Sequence, residues 1–327
     1  MQSTIMMTVS ILQRGSYLSG GFAVSYQRKP AAPGFEGKPP LLLVHPLGVG
    51  LSSWFWDPFL SEWSGSEVFV PDLIGCGASE AWQPSERGLF VPLDWVRALE
   101  ALWREEIRRP VVVLAQGGLA PLAVQLATRE TETWRGPRAV RGIVLASPPP
   151  WAEAADGLPE AEVRRNFELL SATLGSASPL GTLGYRALCA RPFVRFFSRR
   201  FLFAAAAGDD DDASADESLN RFVDACCAEA APERRWPVLA FNAGLVGQRG
   251  LGDELSSLRT PTLVLTGAAD DLWPLSDDGA AYESRMPNCR AVRLAGRNAL
   301  PWESARETAE AVGEFVDGVA GVGLSWG

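Results

Sequence analysis

Seven short apolar runs, separated by turns and by stretches of helical periodicity, constrain this chain more than any other feature. They fall at 22–26, 41–44, 68–70, 111–115, 142–146, 262–266 and 291–294. Residues 41–44 (LLLV) and 111–115 (VVVLA) are apolar at every position, as strands buried on both faces must be. Between the runs lie helical stretches at 53–63, 93–107, 119–128 and 303–316. In the last of these Ala305, Ala309, Val312 and Phe315 recur with the spacing of one helix face. Alternation of this kind predicts an α/β fold: a mostly parallel sheet with helices on both faces.

The interval before the run at 262–266 breaks the rhythm. From 151 to 258 no strong strand signal occurs, and the segment reads as helices and loops. Three parts follow: a first core part at 1–150, a helical lid insertion at 151–258, and a second core part at 259–327. The insertion contains an arginine-studded apolar stretch at 190–207, with Phe193, Phe196, Phe197, Phe201 and Phe203. Such a stretch packs a lid onto its core or presents an amphipathic surface to a partner. The aspartates at 209–212 lack the ligand spacing of a calcium loop and read as a solvated run.

Composition removes several classes of function. A net charge of -9 argues against a nucleic-acid backbone as partner. No apolar run is long enough to span a bilayer. The five cysteines are scattered without a CxxC, and with one histidine no zinc-like spacing exists. No metal or cofactor is therefore expected. Unpaired thiols and the absence of a signal-like start suggest a reducing, cytoplasmic compartment, or an organelle such as a plastid if a transit peptide is missing from this chain. Lysine occurs only at Lys29 and Lys38, neither placed for Schiff-base or Ser-Lys chemistry.

Five motifs, in order, carry a resemblance. The runs LLLVHPLGVG at 41–50 and VFVPDLIGCGAS at 68–79 are followed by VVVLAQGGLAPLAVQLA at 111–127, TLVLTGAAD at 262–270 and LAGRNALPWE at 294–303. Together they resemble the α/β-hydrolase superfamily, over about residues 22–320. The resemblance implies an eight-stranded type of sheet with the helical lid inserted after the sixth strand. It likens the first motif to an oxyanion loop and the second to a D-x-x-G-x-G-x-S turn formed by Asp72, Gly75, Gly77 and Ser79. The third resembles the nucleophile elbow, the fourth the strand that delivers the acid, here Asp270, and the fifth the loop that presents the histidine.

The departures bear on function. The elbow reads Ala115-Gln116-Gly117-Gly118-Leu119, so the nucleophile position is Gly117, which has no side chain to attack with. The histidine position falls at Asn298 or Ala299, and neither side chain accepts a proton near neutral pH. The chain's one histidine, His45, lies in the oxyanion motif, where it either supports the loop or takes part in chemistry of another kind. Pro46 has no N–H, which leaves Leu47 or Gly48 as one oxyanion donor and Gly118 as the other. Cys76 stands near the elbow without a basic neighbour in sequence to activate it. Losing triad members costs roughly 10⁴–10⁶ in rate, or about 5–8 kcal/mol of barrier.

The expectation is a non-hydrolytic protein, or pseudoenzyme, on a hydrolase scaffold with a degenerate triad at Gly117, Asp270 and Ala299. Its partner would be an apolar small molecule between sheet and lid, or a protein held through the lid. His45, Leu47, Gly48, Gln116, Gly118, Asp270 and Trp302 are the candidate ligand contacts. Among the 12 tryptophans, Trp54, Trp56, Trp273 and Trp302 fall near the expected pocket rim. The alternative is an unconventional hydrolase, lyase or isomerase using His45, Asp270 and the oxyanion loop.

Overall fold

The computed structural model describes residues 12–133, 139–175, 178–204, 213–269 and 279–321. Its frame is one eight-stranded sheet. The strands are β1 (Gln13–Ser19), β2 (Phe22–Lys29), β3 (Leu41–Val44), β4 (Val68–Pro71), β5 (Val111–Gln116), β6 (Val140–Ala146), β7 (Thr262–Gly267) and β8 (Cys289–Leu294). Their spatial order is β1-β2-β4-β3-β5-β6-β7-β8. The pairings β1–β2 and β2–β4 are antiparallel and all the others are parallel.

Period-two geometry sorts the central strands between two cores. Leu42, Val44, Val113 and Ala115 enter one cluster, with the helices Leu93–Leu102 and Ala120–Thr133 over it. Leu41, Leu43, Val112 and Leu114 enter the other, beneath Asp57–Glu62 and Ala305–Gly321. Each strand thus feeds both faces, which is why these runs carry no polar residue.

The eight strands agree with the expected sheet, although one of them lies outside the seven apolar runs, and one helix differs from the expectation. The edge strand β1 adds an eighth strand ahead of the seven runs; its hairpin with β2 turns at Gly20 and Gly21, both at positive φ. The helix expected over 93–107 is α-helical only to Leu102. It continues as a wider turn over Trp103–Ile107 and stops at Arg108, whose φ is 56°.

Between β6 and β7 the chain forms helices at Trp151–Asp156, Glu160–Thr173, Pro179–Leu188, Arg191–Phe197, Ala213–Glu229, Arg235–Asn242 and Gly252–Ser257, and no strand among the described residues. Among the described residues no helix is long and apolar enough to cross a membrane. Parallel pairing brings the carboxyl ends of β3, β5, β6 and β7 to one sheet edge, where ligands bind in open α/β sheets. Gln116 ends β5, and His45, Gly117 and Ser147 directly follow β3, β5 and β6.

Candidate functional site

His45 follows β3 and is completely buried. Its Nδ1 donates to the carbonyl oxygen of Pro46 at 2.8 Å, and its Nε2 accepts the N–H of Leu73 at 3.0 Å. Both nitrogens of a neutral ring are therefore engaged by backbone. Burial holds the imidazole below its ordinary pKa and outweighs the opposing charge of Asp72.

The turn after β4 is fastened just as closely. Asp72 accepts the N–H of Ser53 at 2.7 Å and of Ala78 at 2.9 Å, and its own carbonyl accepts the Ser79 hydroxyl at 2.6 Å. Ser79 Oγ in turn accepts the Ser25 N–H from β2 at 2.9 Å. Gly77 sits at φ 49°, and a Cβ there would fall 2.4 Å from the Asp72 carboxyl carbon. Glycine is needed on both counts. Cys76, in the middle of this turn, is buried, and desolvation pushes its thiol far above the usual range. It does not supply a thiolate.

At the end of β5 the chain turns sharply into the helix Ala120–Thr133, through Gly117 at φ 62°. A Cβ on Gly117 would meet no atom within 4 Å, whereas one on Gly118 would strike the Phe241 ring at 2.6 Å. The first glycine faces open space; the second is required by contact. Gln116 is buried, and its Nε2 donates to the carbonyl oxygen of Asn298 at 2.7 Å. Its Oε1 is buried and has no partner among the described residues. Ser147, after β6, sits at φ 47° with its Oγ likewise buried and unpartnered among the described residues. Sequence reasoning gave Ser147 no role; the following Pro148-Pro149-Pro150 was its only signal, and it marks a turn rather than a site.

The loop after β8 is occupied by backbone from the helical segment. The N–H groups of Asn298 and Ala299 both donate to Leu202 O at 3.0 Å. Asn298 Nδ2 donates to Phe201 O at 2.6 Å, and Arg297 Nη1 to Arg200 O at 3.1 Å. Glu303 completes the fastening: one oxygen accepts the Ala204 N–H at 2.5 Å, the other the Arg297 N–H at 2.9 Å. Burial raises the Glu303 pKa, against the lowering effect of these backbone donors.

Trp302 donates its indole N–H to Phe55 O at 2.8 Å and meets Phe222 and Trp54 edge-to-face, at 5.3 and 5.8 Å between ring centres. Trp56 is fully buried beside Phe55. Much of the aromatic surface expected at a pocket rim is thus spent joining the helix Ala213–Glu229 to the core. Leu47 is buried in the core, and Gly48 borders a recess with Gly50, Leu51, Cys76, Glu229 and Arg234. That recess holds about 10 Å³, room for a single water. Asp270, Asp271, Trp273 and the aspartates at 209–212 lie outside the described residues. Of the sequence-derived candidates, Gln116 and the Asn298-Ala299 loop are brought into direct contact; His45 is bonded to Pro46 and Leu73 instead. Among the described residues no three His, Cys, Asp or Glu side chains group as metal ligands.

Residues 41–311 match the model of the alpha/beta hydrolase family. Among solved structures the chain is similar to a thermophilic esterase from Thermogutta terrifontis, at 19% identity and TM-score 0.65, over 94% of this chain and 99% of that one. It is similar to a haloalkane dehalogenase from Bradyrhizobium elkani at 20% identity and TM-score 0.65, over 96% and 100%. A haloalkane dehalogenase from Agrobacterium tumefaciens matches at 15% identity and TM-score 0.62, over 94% and 97%. At these identities the likeness is one of fold. No curated protein sequence matches the chain.

Proposed function

The chain belongs to the alpha/beta hydrolase family, and from that premise we propose that it binds a small molecule at the elbow instead of hydrolysing one. The observation that carries this reading is the pairing of open space at Gly117 with the orphaned acceptor Gln116 Oε1. A buried acceptor without a partner costs about 1–3 kcal/mol, so a group that satisfies it is bound with that advantage. The ligand therefore offers a hydrogen-bond donor to Gln116. It offers a carbonyl or anionic oxygen to the backbone N–H groups of Leu47 and Gly118, with Asp270 as a further polar contact. Its body is apolar, as the Phe241 ring beside Gly118 favours.

In this reading residues 151–258 form a lid, fastened through Phe201 and Leu202 to the loop that a hydrolase uses for its histidine. Gly117 and Ala299 are degenerate triad positions. His45 acts as a loop support, because a fully buried ring with both nitrogens bonded to backbone has no lone pair left for a substrate proton. Trp302 shapes the lid contact, its N–H being already spent on Phe55.

Native mass spectrometry of the purified full chain tests the proposal. A discrete mass increment, lost on denaturation, is expected. Its absence, together with ester turnover abolished by His45→Ala while the fold persists, would support the enzymatic alternative instead.

A further inference from the structure

The helices between β6 and β7 turn apolar side chains outward. In the helix Pro179–Leu188, Leu180 and Leu183 are 81% and 65% exposed and lie on one face with Arg186. In Arg191–Phe197 the exposed apolar rings are Phe193, Phe196 and Phe197, while Val194 is buried. Glu160–Thr173 packs against the first of these helices and exposes Leu169 near its end. An i, i+3, i+4 apolar stripe is normally what a helix buries; here it faces solvent, and a contiguous patch of that kind marks a contact surface.

The charge around the patch identifies the contact. The chain is acidic, yet from 169 to 208 it contains five arginines and no Asp or Glu. Arg191 and Arg195 are turned toward Asp224 and Asp216 of the helix Ala213–Glu229. Arg186 and Arg199 are exposed and form no ion pair among the described residues. Exposed phenyl and leucyl groups flanked by long cationic side chains match the boundary between acyl chains and anionic headgroups.

We infer that this face seats the protein on an anionic phospholipid surface. The rings of Phe193, Phe196 and Phe197, with Leu180 and Leu183, enter the acyl boundary, and Arg186 and Arg199 meet lipid phosphates. The contact is peripheral and reversible. It also brings the segment before Phe201–Ala204, which is hydrogen-bonded to the loop after β8, against the bilayer.

The test is co-sedimentation of the full chain with vesicles of phosphatidylcholine alone or mixed with phosphatidylglycerol. The wild type is expected to sediment with the mixed vesicles only, and less so as salt rises. Arg186→Gln/Arg199→Gln should lower the partition about 30-fold. Phe193→Ser/Phe196→Ser/Phe197→Ser should lower it at least about 100-fold. Circular dichroism should show both variants folded, since all five side chains are on the surface. Failure of the wild type to bind, equal binding to neutral vesicles, or unchanged binding by both folded variants would overturn the inference. So would light scattering that showed a dimer of this chain, dissociated by the phenylalanine variant, in place of vesicle binding.

Discussion

The side-chain amide of Gln116 donates to the backbone carbonyl of Asn298 at 2.7 Å, joining two residues 182 positions apart. In the function proposed above, these two places correspond to the turn that lifts a hydrolase's nucleophile and the loop that presents its base. Here they hold each other. The amide spends its donor on the loop, and the loop spends its own N–H groups on Leu202. Gln116 Oε1 has no partner among the described residues, and the space over Gly117 is open.

The engagement of His45 predicts a pH dependence of stability. Burial holds its folded pKa below the ordinary 6.5, so the unfolded chain takes up a proton that the folded one resists. The contribution is complete above about pH 6.5 and is lost as pH falls from there toward the folded value. Urea melts between pH 7.5 and pH 5.5 should therefore decline more steeply for the wild type than for His45→Gln. Comparing the two proteins removes the carboxylates, including Glu303, whose raised pKa acts with the opposite sign. Equal slopes would contradict the account. At neutral pH, His45→Ala should cost about 3 kcal/mol, through an orphaned Leu73 N–H and the cavity left behind.

Glu303 should behave as a latch. Glu303→Ala deprives the N–H groups of Ala204 and Arg297 of their acceptor, at a cost of about 2 kcal/mol. The loss should be local. Limited proteolysis should cut near 198–204 several-fold faster than in the wild type, while amide protection in β3 and β5 is unchanged.

Trp302→Ala should be far more costly, about 3–5 kcal/mol by chemical denaturation. It removes a ring packed against Trp54 and Phe222 and a bond to Phe55 O. A loss below 1 kcal/mol would mean that the aromatic cluster does not hold the helix Ala213–Glu229 to the core.

Four of the five thiols should be nearly inert in the native state. Burial pushes Cys76 and Cys226 far up, Cys289 to about 12 and Cys189 to about 11. The Cys189 shift alone lowers its thiolate fraction about 100-fold. Aromatic disulfide reagents should titrate these four only after unfolding. Native labelling of Cys76 at the rate of a free thiol would reinstate it as a nucleophile.

The central strands were legible in the sequence because each sends side chains into both cores, leaving runs such as Leu41–Val44 without a polar residue. Gly117 was legible for a related reason, since a strand that turns at once into a helix demands positive φ. Strand β1 was not, because only two of its residues, Tyr17 and Ser19, are buried, and a half-polar edge strand has no run to detect. The fastening of the loop after β8 was equally silent. Its acceptors are the main-chain carbonyls of residues 200–202, and a carbonyl leaves no trace in residue identity. Ser147 escaped because an orphaned hydroxyl is visible only once its surroundings are built.

The central claim is that the elbow holds a ligand and has no base to serve a nucleophile, and Gly117→Ser tests it most directly. The position tolerates the change: a Cβ meets nothing within 4 Å, and a left-handed serine costs about 1–2 kcal/mol, which a stable domain absorbs. Stopped-flow hydrolysis of a p-nitrophenyl acyl ester by the folded variant should show no burst and no turnover above wild type, because the described structure brings no proton acceptor to that hydroxyl. An acyl-enzyme burst equal to the protein concentration would show that a base is present after all, and the binding account would fall.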